Sequence, residues 1–351
     1  MPFVMNAWYV AAWPHEIVAD KVLARTVCNE AMVLWRNADG SIAALEDRCC
    51  HRHMPLAAGV LEGGTLRCPY HGLRFAADGR CVEIPGQPRI PATVRVRQYP
   101  ALQRHGWVWV WPGDAEQADP ALIPDIQARN DHPDWTSAGG TVYMQGNYLL
   151  VHDNLLDLTH ETYVHASSLG NHAVVDNPIE TEVKDDRVTV TRWMLNHDPA
   201  PFWKAALRHA SGYDGACDRW QIINFVPPTN LVLDVGVAPT ATGAPQGDRS
   251  KGVPGCNLNA ITPETETTTF VFWAFARNFQ RDDAQLTRTF VQRAAAILEE
   301  DRMAIEAVQR VMNRDPERKP MNLRIDAGVV AARRIVDHLI ADERTEMGAA
   351  E

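Results

Sequence analysis

CCHRHMPLAAGVLEGGTLRCPYHG, residues 49–72, places three cysteines and three histidines within 24 residues. Sulfur and imidazole at short fixed spacing read as a metal site, and two arrangements compete. Cys50-x2-His53 with Cys68-x2-His71 has the symmetry of a structural zinc site. Cys49-x-His51 with Cys68-x2-His71 has the asymmetry of a [2Fe-2S] centre in which two cysteines hold one iron and two histidines the other. The stretch alone leaves both open.

Its surroundings read as short strands joined by turns. AMVLWRNADGSIAALEDRC sets Asp39-Gly40 between two apolar runs, GLRFAADGRCVEI repeats the device with Asp78-Gly79, and GWVWVWPGD ends a strand at Pro112. The motif therefore lies on the hairpin tips of an all-β unit. From about Gly113 to Pro133 the chain turns rich in Pro and Asp and loses periodicity, which places a domain boundary there and divides the chain into 1–120 and 121–351. The second part mixes a helix over about Tyr148 to His165, the strand-like runs RVTVTRWML, NLVLDVGVA and TTTFVFWAFARNF, and two helical stretches near the C-terminus. Segregated strands and helices predict an α+β domain with an antiparallel sheet. Arg344 to Glu351 are expected to fray.

The whole sequence has 351 residues, 46% of them hydrophobic, enough for two cores. A net charge of −10 without a basic cluster argues against nucleic acid and anionic membranes. No stretch approaches the ~20 apolar residues that span a bilayer, and the first residues lack the pattern of a secretion signal. A cytoplasmic location is expected, where seven cysteines serve as metal ligands or packing groups.

Polar groups concentrate again in VHDNLLDLTHETYVH, residues 151–165. On a continuous helix Asn154, Asp157 and His160 fall along one face, with His165 just over a turn beyond. Histidines alone would be unremarkable on an exposed face; Asp157 and Asn154 add the carboxylate and amide that orient metal-binding imidazoles. A third ligand is available in TFVQRAAAILEEDRMAIEAVQRVM. There Phe290, Ala294, Ile297, Ile305, Val308 and Met312 form an apolar stripe with Asp301 in its middle and Glu299 and Glu300 off it. A carboxylate buried in that stripe needs a cation, supplied by an arginine or a metal. Two histidines and a carboxylate leave positions open on iron(II) for oxygen and substrate. A second redox-competent site gives the [2Fe-2S] reading a purpose that zinc would lack.

Together with these two sites, the chain resembles the oxygenase components of the Rieske non-haem iron aromatic oxygenases along essentially its whole length, and within them the branch of vanillate and dicamba O-demethylases. The resemblance runs in order through NAWYVAA, CPYHGLRF, GWVWVWPGD, DNLLDLTHETYVHASS, APFWKAALR, DRWQI, ITPET and the Asp-bearing C-terminal helix. Respiratory Rieske proteins carry an extra cysteine pair where Met54 and Tyr70 stand here. The resemblance implies an N-terminal Rieske domain and a C-terminal helix-grip domain. It implies cluster ligation by Cys49, His51, Cys68 and His71, and mononuclear Fe(II) at His160, His165 and Asp301. Asp157 matches an acid that links a cluster histidine of one subunit to an iron histidine of its neighbour, and Asn154 an amide near the iron, which implies a homotrimer. The family usually has Pro at the position of Cys50, and His53 also departs from its pattern; Cys50 is read as a buried passenger thiol, with a competing ligand that makes the cluster fragile to oxygen as the alternative, and His53 as a surface or supporting group. Cys28, Cys81, Cys217 and Cys256 are read as packing residues.

The implied activity is monooxygenation by O2, with electrons from NADH passing through a partner flavin (FMN) and iron-sulfur reductase. A methoxylated aromatic acid would lose its methyl group as formaldehyde, with vanillate giving protocatechuate. Arg219, Asn224 and Asn259 lie in strand-like segments able to line the substrate site, although Arg219 could equally form a surface salt bridge and Asn259 finish a strand. Hydroxylation or ring dihydroxylation of another aromatic, and a non-enzymatic electron carrier, are the competing functions.

Overall fold

The computed structural model describes residues 2–166 and 177–350, the side chains of 347–350 excepted. Ser167 and Ser168, the end of the DNLLDLTHETYVHASS motif, and Glu351 lie outside the described residues. The chain forms two compact units, the first comprising Met1–Ile123, Thr262–Glu266 and Glu343–Glu351, the second Pro124–Ile261 and Thr267–Asp342.

In the first unit β1 (Tyr9–Ala12) pairs with β10 (Trp107–Val110), which pairs with β9 (Ala101–Arg104). A second sheet is the meander β2 (Leu23–Val27), β3 (Glu30–Arg36) and β4 (Ile42–Glu46). The third is a four-stranded meander of β5 (Val60–Glu62), β6 (Thr65–Arg67), β7 (Arg74–Phe75) and β8 (Cys81–Glu83). Strands β3 and β10 read as unbroken apolar runs because both faces are covered: Met32, Val33, Leu34 and Trp35 are buried, as are Trp107, Val108, Trp109 and Val110. Both Asp-Gly hairpins form. At Gly79 the turn has φ +79° and a Cβ would stand 2.2 Å from the Val96 carbonyl oxygen, so only glycine fits.

Two later segments complete this unit. The Pro263 and Glu264 carbonyls accept the N–H groups of Cys28 and Asn29 at 2.8 and 2.9 Å. The buried Glu343 carboxylate accepts the Met5 and Asn6 N–H groups at 2.8 and 2.6 Å. That anchor explains why the C-terminal helix continues to Ala350 where fraying was expected.

The second unit is built on a seven-stranded antiparallel sheet. Its strands are β11 (Thr136–Met144), β12 (Ile179–Lys184), β13 (Arg187–His197), β14 (Cys217–Val226), β15 (Asn230–Pro239), β16 (Val253–Thr265) and β17 (Thr268–Arg277), in the spatial order β11-β17-β16-β15-β14-β13-β12. Helices α1 (Tyr148–Leu156), α2 (Glu161–Val164), α3 (Pro201–Ser211), α4 (Ala284–Met312) and α5 (Ala327–Ala350) accompany it, with α4 packed on β11, β17, α1 and α2. The α+β expectation holds.

Two local expectations need correction. The helix expected over Tyr148 to His165 breaks after Leu156: Asp157 takes an extended conformation (φ −91°, ψ 113°), and its Oδ1 accepts both the N–H and the hydroxyl of Thr159 at 2.6 Å. This side-chain bond offers the backbone an alternative to the helix. On α4 the buried line is Leu298, Asp301, Ile305 and Gln309, whereas Val308 and Met312 are exposed. Positions 308 and 312 fall within ~20° of Asp301 round a 3.6-residue helix, so the stripe keeps its phase and the packing leaves Val308 and Met312 uncovered. The APFWKAALR motif forms helix α3, opened by Pro201 and ended by Gly212 at φ +72°.

Candidate functional site

The cluster motif occupies two loops of the first unit with the same backbone design. Cys49 N–H donates to Met54 O at 2.9 Å and its carbonyl accepts from His53 N–H at 2.9 Å; Cys68 N–H donates to Leu73 O at 2.8 Å and its carbonyl accepts from Gly72 N–H at 3.1 Å. The fifth residue of each loop is left-handed, His53 at φ 57° and Gly72 at φ 75°. Two turns of the same design thus each present one cysteine and one histidine, His51 as the third residue of its turn and His71 as the fourth. Cys49 and Cys68 are buried beside each other, and the rings of His51 and His71 meet edge-on at 4.5 Å between centroids, exposed at the surface. Burial first, and then the neighbouring Cys68 thiol, push the Cys49 thiol up to about 11. The geometry separates sulfurs from imidazoles, as a [2Fe-2S] centre requires and the Cys50–His53 zinc arrangement does not. Cys50 is exposed rather than a buried passenger, because in this tight turn Cys49 takes the inward position. His53 is exposed, and Cys28, Cys81, Cys217 and Cys256 are buried.

In the second unit, the break at Asp157 delivers two histidines to one point. His160 opens α2 and His165 closes it. Their Nε2 atoms lie 3.5 and 3.1 Å from Asp301 Oδ1 of α4, and the three side chains offer ligand atoms that all lie within 4.8 Å of one another. Among the described residues this is the one group of three or more His, Cys, Asp or Glu side chains whose ligand atoms gather within that distance. Asn154 Nδ2 donates to Asp301 Oδ1 at 2.9 Å. Asp157 Oδ2 stands 3.7 Å from His160 Nδ1, and Glu300 Oε2 lies 2.7 Å from His165 Nδ1. Each imidazole therefore has a carboxylate behind it and its Nε2 aimed at the same point. Burial disfavours a charged His160, but Asp157 and Asp301 outweigh it and hold the imidazole up to about 9. Burial likewise opposes ionisation of Asp301, and the two histidines with Asn154 overcome it, keeping the carboxyl well below the usual range. A site poised as paired opposite charges is one a divalent cation can enter by displacing protons.

Beside these three residues opens a cavity of about 250 Å³. Its walls are largely apolar, including Leu231, Leu233 and Val235 of β15, Phe275 of β17, and Phe290 and Ile297 of α4. Of the residues expected to meet substrate, Arg219 and Asn259 line it and Asn224 does not. The strand repeat decides this: Arg219, Gln221 and Ile223 face the cavity, so Asn224 points to the opposite side, where its Oδ1 accepts the Thr189 hydroxyl. Among the described residues Arg219 makes no surface salt bridge. It pairs with the buried Glu161, whose carboxylate also accepts Gln221 Nε2 at 2.6 Å. Glu161, Gln221, Asn257, Arg293 and Glu300 escaped the sequence reading. Asn257 was findable from the two-residue repeat shared with Asn259; Glu161 and Glu300 were not, since their partners are distant in sequence.

A [2Fe-2S]-type loop pair in one unit and a two-histidine, one-carboxylate site over an apolar cavity in the other define the oxygenase component of a Rieske-type monooxygenase. The comparisons agree. The family model for Rieske [2Fe-2S] domains matches residues 7–100, and that for the vanillate O-demethylase oxygenase C-terminal domain matches residues 144–342. The chain is 42% identical to the vanillate O-demethylase oxygenase subunit of Pseudomonas sp. (strain HR199 / DSM 7063), over 99% of this chain and 98% of that one. It is 41% identical to the toluene-4-sulfonate monooxygenase system iron-sulfur subunit of Comamonas testosteroni, over 97% and 98%. A crystal structure of dicamba monooxygenase bound to 3,6 dichlorosalicylic acid superposes with a TM-score of 0.89 at 33% identity, covering 97% of this chain and 99% of that one. The chain belongs to the family of Rieske oxygenase components typified by the vanillate O-demethylase oxygenase subunits. Among the described residues no helix is long and apolar enough to cross a membrane.

Proposed function

We propose that this protein O-demethylates a methoxylated aromatic acid, with vanillate as substrate and protocatechuate and formaldehyde as products. The observation that carries the reading is the apolar, ring-sized cavity with His160, His165 and Asp301 on its wall. In this reading residues 1–120 carry the cluster on Cys49, His51, Cys68 and His71, and residues 121–351 carry iron on His160, His165 and Asp301. Iron bound there, supplied with electrons through the cluster, provides the oxygen-activating chemistry. Overall, a methoxy group, O2, two electrons and two protons give a phenol, formaldehyde and water, through a hemiacetal that falls apart.

The chain's own residues orient and isolate. Leu231, Leu233 and Phe275 exclude water from the ring, Asn259 offers a hydrogen-bonding amide, and Glu300 holds the His165 imidazole in one orientation while the Asp157 carboxylate lies 3.7 Å from His160 Nδ1. Arg219 acts through Glu161, which it shares with Gln221. Electrons come from NADH through an FMN and iron-sulfur reductase, in the cytoplasm. The exposed rings of His51 and His71 offer the cluster a route out to a neighbouring chain, and Asp157 is the residue that couples that cluster to His160 within a homotrimer.

Formaldehyde release tests the function, using iron-loaded protein with a compatible reductase, NADH, O2 and a panel of vanillate, other methoxybenzoates and toluene-4-sulfonate. Formaldehyde matched by protocatechuate supports the reading; NADH oxidation without formaldehyde from any methoxylated substrate defeats it. The 41% identical Comamonas subunit favours one second reading, oxygenation of an aromatic sulfonate, and the sulfonate in the panel addresses it. Asp157→Asn should keep iron and cluster content and lose at least ~100-fold in turnover. Near-normal product formation would remove Asp157 from the electron route.

A further inference from the structure

Three arginines stand at or beside the cavity, and two are committed. Arg192 is buried and donates through Nη1 to the Leu158 carbonyl at 2.9 Å. Arg219 is matched by the buried Glu161 at 3.4 Å, a pair with no net charge to offer. Arg293 differs. It lines the cavity from α4, is exposed, and has no ion pair or hydrogen bond among the described residues. The other charged groups of the cavity wall are Asp157, Glu161 and Asp301 with the two histidines, all engaged with one another or with Arg219. Arg293 is therefore the one cavity-lining cation, among the described residues, free to meet an anion.

Its position on the helix supplies a ruler. Arg293 precedes Asp301 by two turns or so of α4, about 12 Å along the axis at 1.5 Å per residue, and lies ~80° round the helix from it. Between them the same helix presents Ala294 and Ile297 to the cavity, and the β15 residues Leu231, Leu233 and Val235 supply further apolar wall. A flat ring lying in that interval can hold one substituent toward His160, His165 and Asp301 and another toward the rim where Arg293 stands. Asn257 and Asn259, whose side chains make no hydrogen bond among the described residues, add uncommitted amides to the same cavity. Asn259 is 5% exposed, so its side chain belongs to the cavity wall rather than to the surface.

We infer that Arg293 is the anion anchor of this site: it binds the carboxylate or sulfonate of an aromatic substrate at the cavity rim and thereby selects which ring substituent faces the His160, His165 and Asp301 centre. The inference rests on the proposed function and assigns the substrate class of that site, a benzene ring with an anionic group at one edge and the oxidisable group at another. A planar guanidinium suits either anion through paired hydrogen bonds.

The test measures dissociation constants on the holoenzyme, anaerobically and without reductase, for vanillate, for the neutral analogue vanillyl alcohol, and for toluene-4-sulfonate. The variants are Arg293→Gln and Arg293→Lys. The wild type should prefer vanillate over the alcohol, and Arg293→Gln should shrink that preference about tenfold or more, with Arg293→Lys between them. The preference should also weaken as salt is raised, because the guanidinium is exposed. Equal loss of sulfonate and carboxylate affinity would assign a general anion anchor, and loss of only one identifies the anion it serves. Retention of the full preference in Arg293→Gln, or equal weakening of acid and alcohol, overturns the anchor while wild-type formaldehyde release keeps the demethylase reading standing. A wild type that binds acid no better than alcohol also overturns it, and absence of formaldehyde from either compound then shows that the demethylase reading has failed as well.

Discussion

Glu300 precedes Asp301 by one residue, yet the two carboxylates meet different atoms of the same imidazole: Asp301 faces Nε2 of His165 and Glu300 faces Nδ1. The 2.7 Å contact at Nδ1 fixes the tautomer that leaves Nε2 free for a metal. Glu300→Gln should therefore weaken Fe(II) binding about 10- to 100-fold while the visible absorbance of the cluster stays constant, measured by chelator competition. Proton competition adds a second expectation. His160 must be neutral to bind a metal, and in the metal-free site it loses its proton at about 9. Below that pH, Fe(II) uptake expels a proton, so affinity should fall by up to about tenfold for each unit of acidification, read from titrations between pH 6 and 9.

Helix α1 carries a titration of opposite sign. His152 is buried between the rings of Tyr148 and Phe225, each 5.4 Å away between centroids, and neither ring nitrogen has a hydrogen-bond partner among the described residues. Burial first, and then Arg333, lower its pKa from 6.5 to about 3. Between those values the unfolded chain binds a proton that the folded protein refuses. This stability is present above about pH 6.5 and is lost as the pH falls toward 3. At pH 5 the loss is about 2 kcal/mol, and His152→Phe should flatten the difference in urea midpoint between pH 7 and pH 5. The same helix ends where Asp157 caps its own chain through Thr159, and this stop turns His160 and His165 toward Asp301.

At the scale of the whole molecule, the two units place their chemistry in separate cores, so the sites should respond separately. Chelation of the mononuclear iron should abolish formaldehyde release and leave the cluster spectrum intact. The proposed trimer makes a further demand. If electrons pass between chains, a variant lacking iron (Asp301→Asn) and one lacking the cluster (Cys68→Ser) should each be inactive alone and regain activity when co-expressed as mixed assemblies. Absence of recovery in assemblies shown to contain both chains would place the transfer within one chain.

Local chemistry was legible in the sequence wherever spacing along the chain sets geometry. Cys49-x-His51 and Cys68-x2-His71 lie on short turns, both Asp-Gly hairpins follow from turn sterics, and Asp301 was readable as a carboxylate whose burial demands a cation, with His160 and His165 singled out by Asp157 and Asn154 beside them. Where contacts join distant segments, the tertiary structure decided. It chose the inner of two adjacent cysteines, Cys49 over Cys50, because one side of a tight turn faces the core. It turned Asn224 away from the cavity by strand parity, spent the charge of Arg219 on Glu161, and brought Glu300 behind His165 across 135 residues of chain. These outcomes depend on which face of an element is covered and by what, and no periodicity along a single chain contains that information.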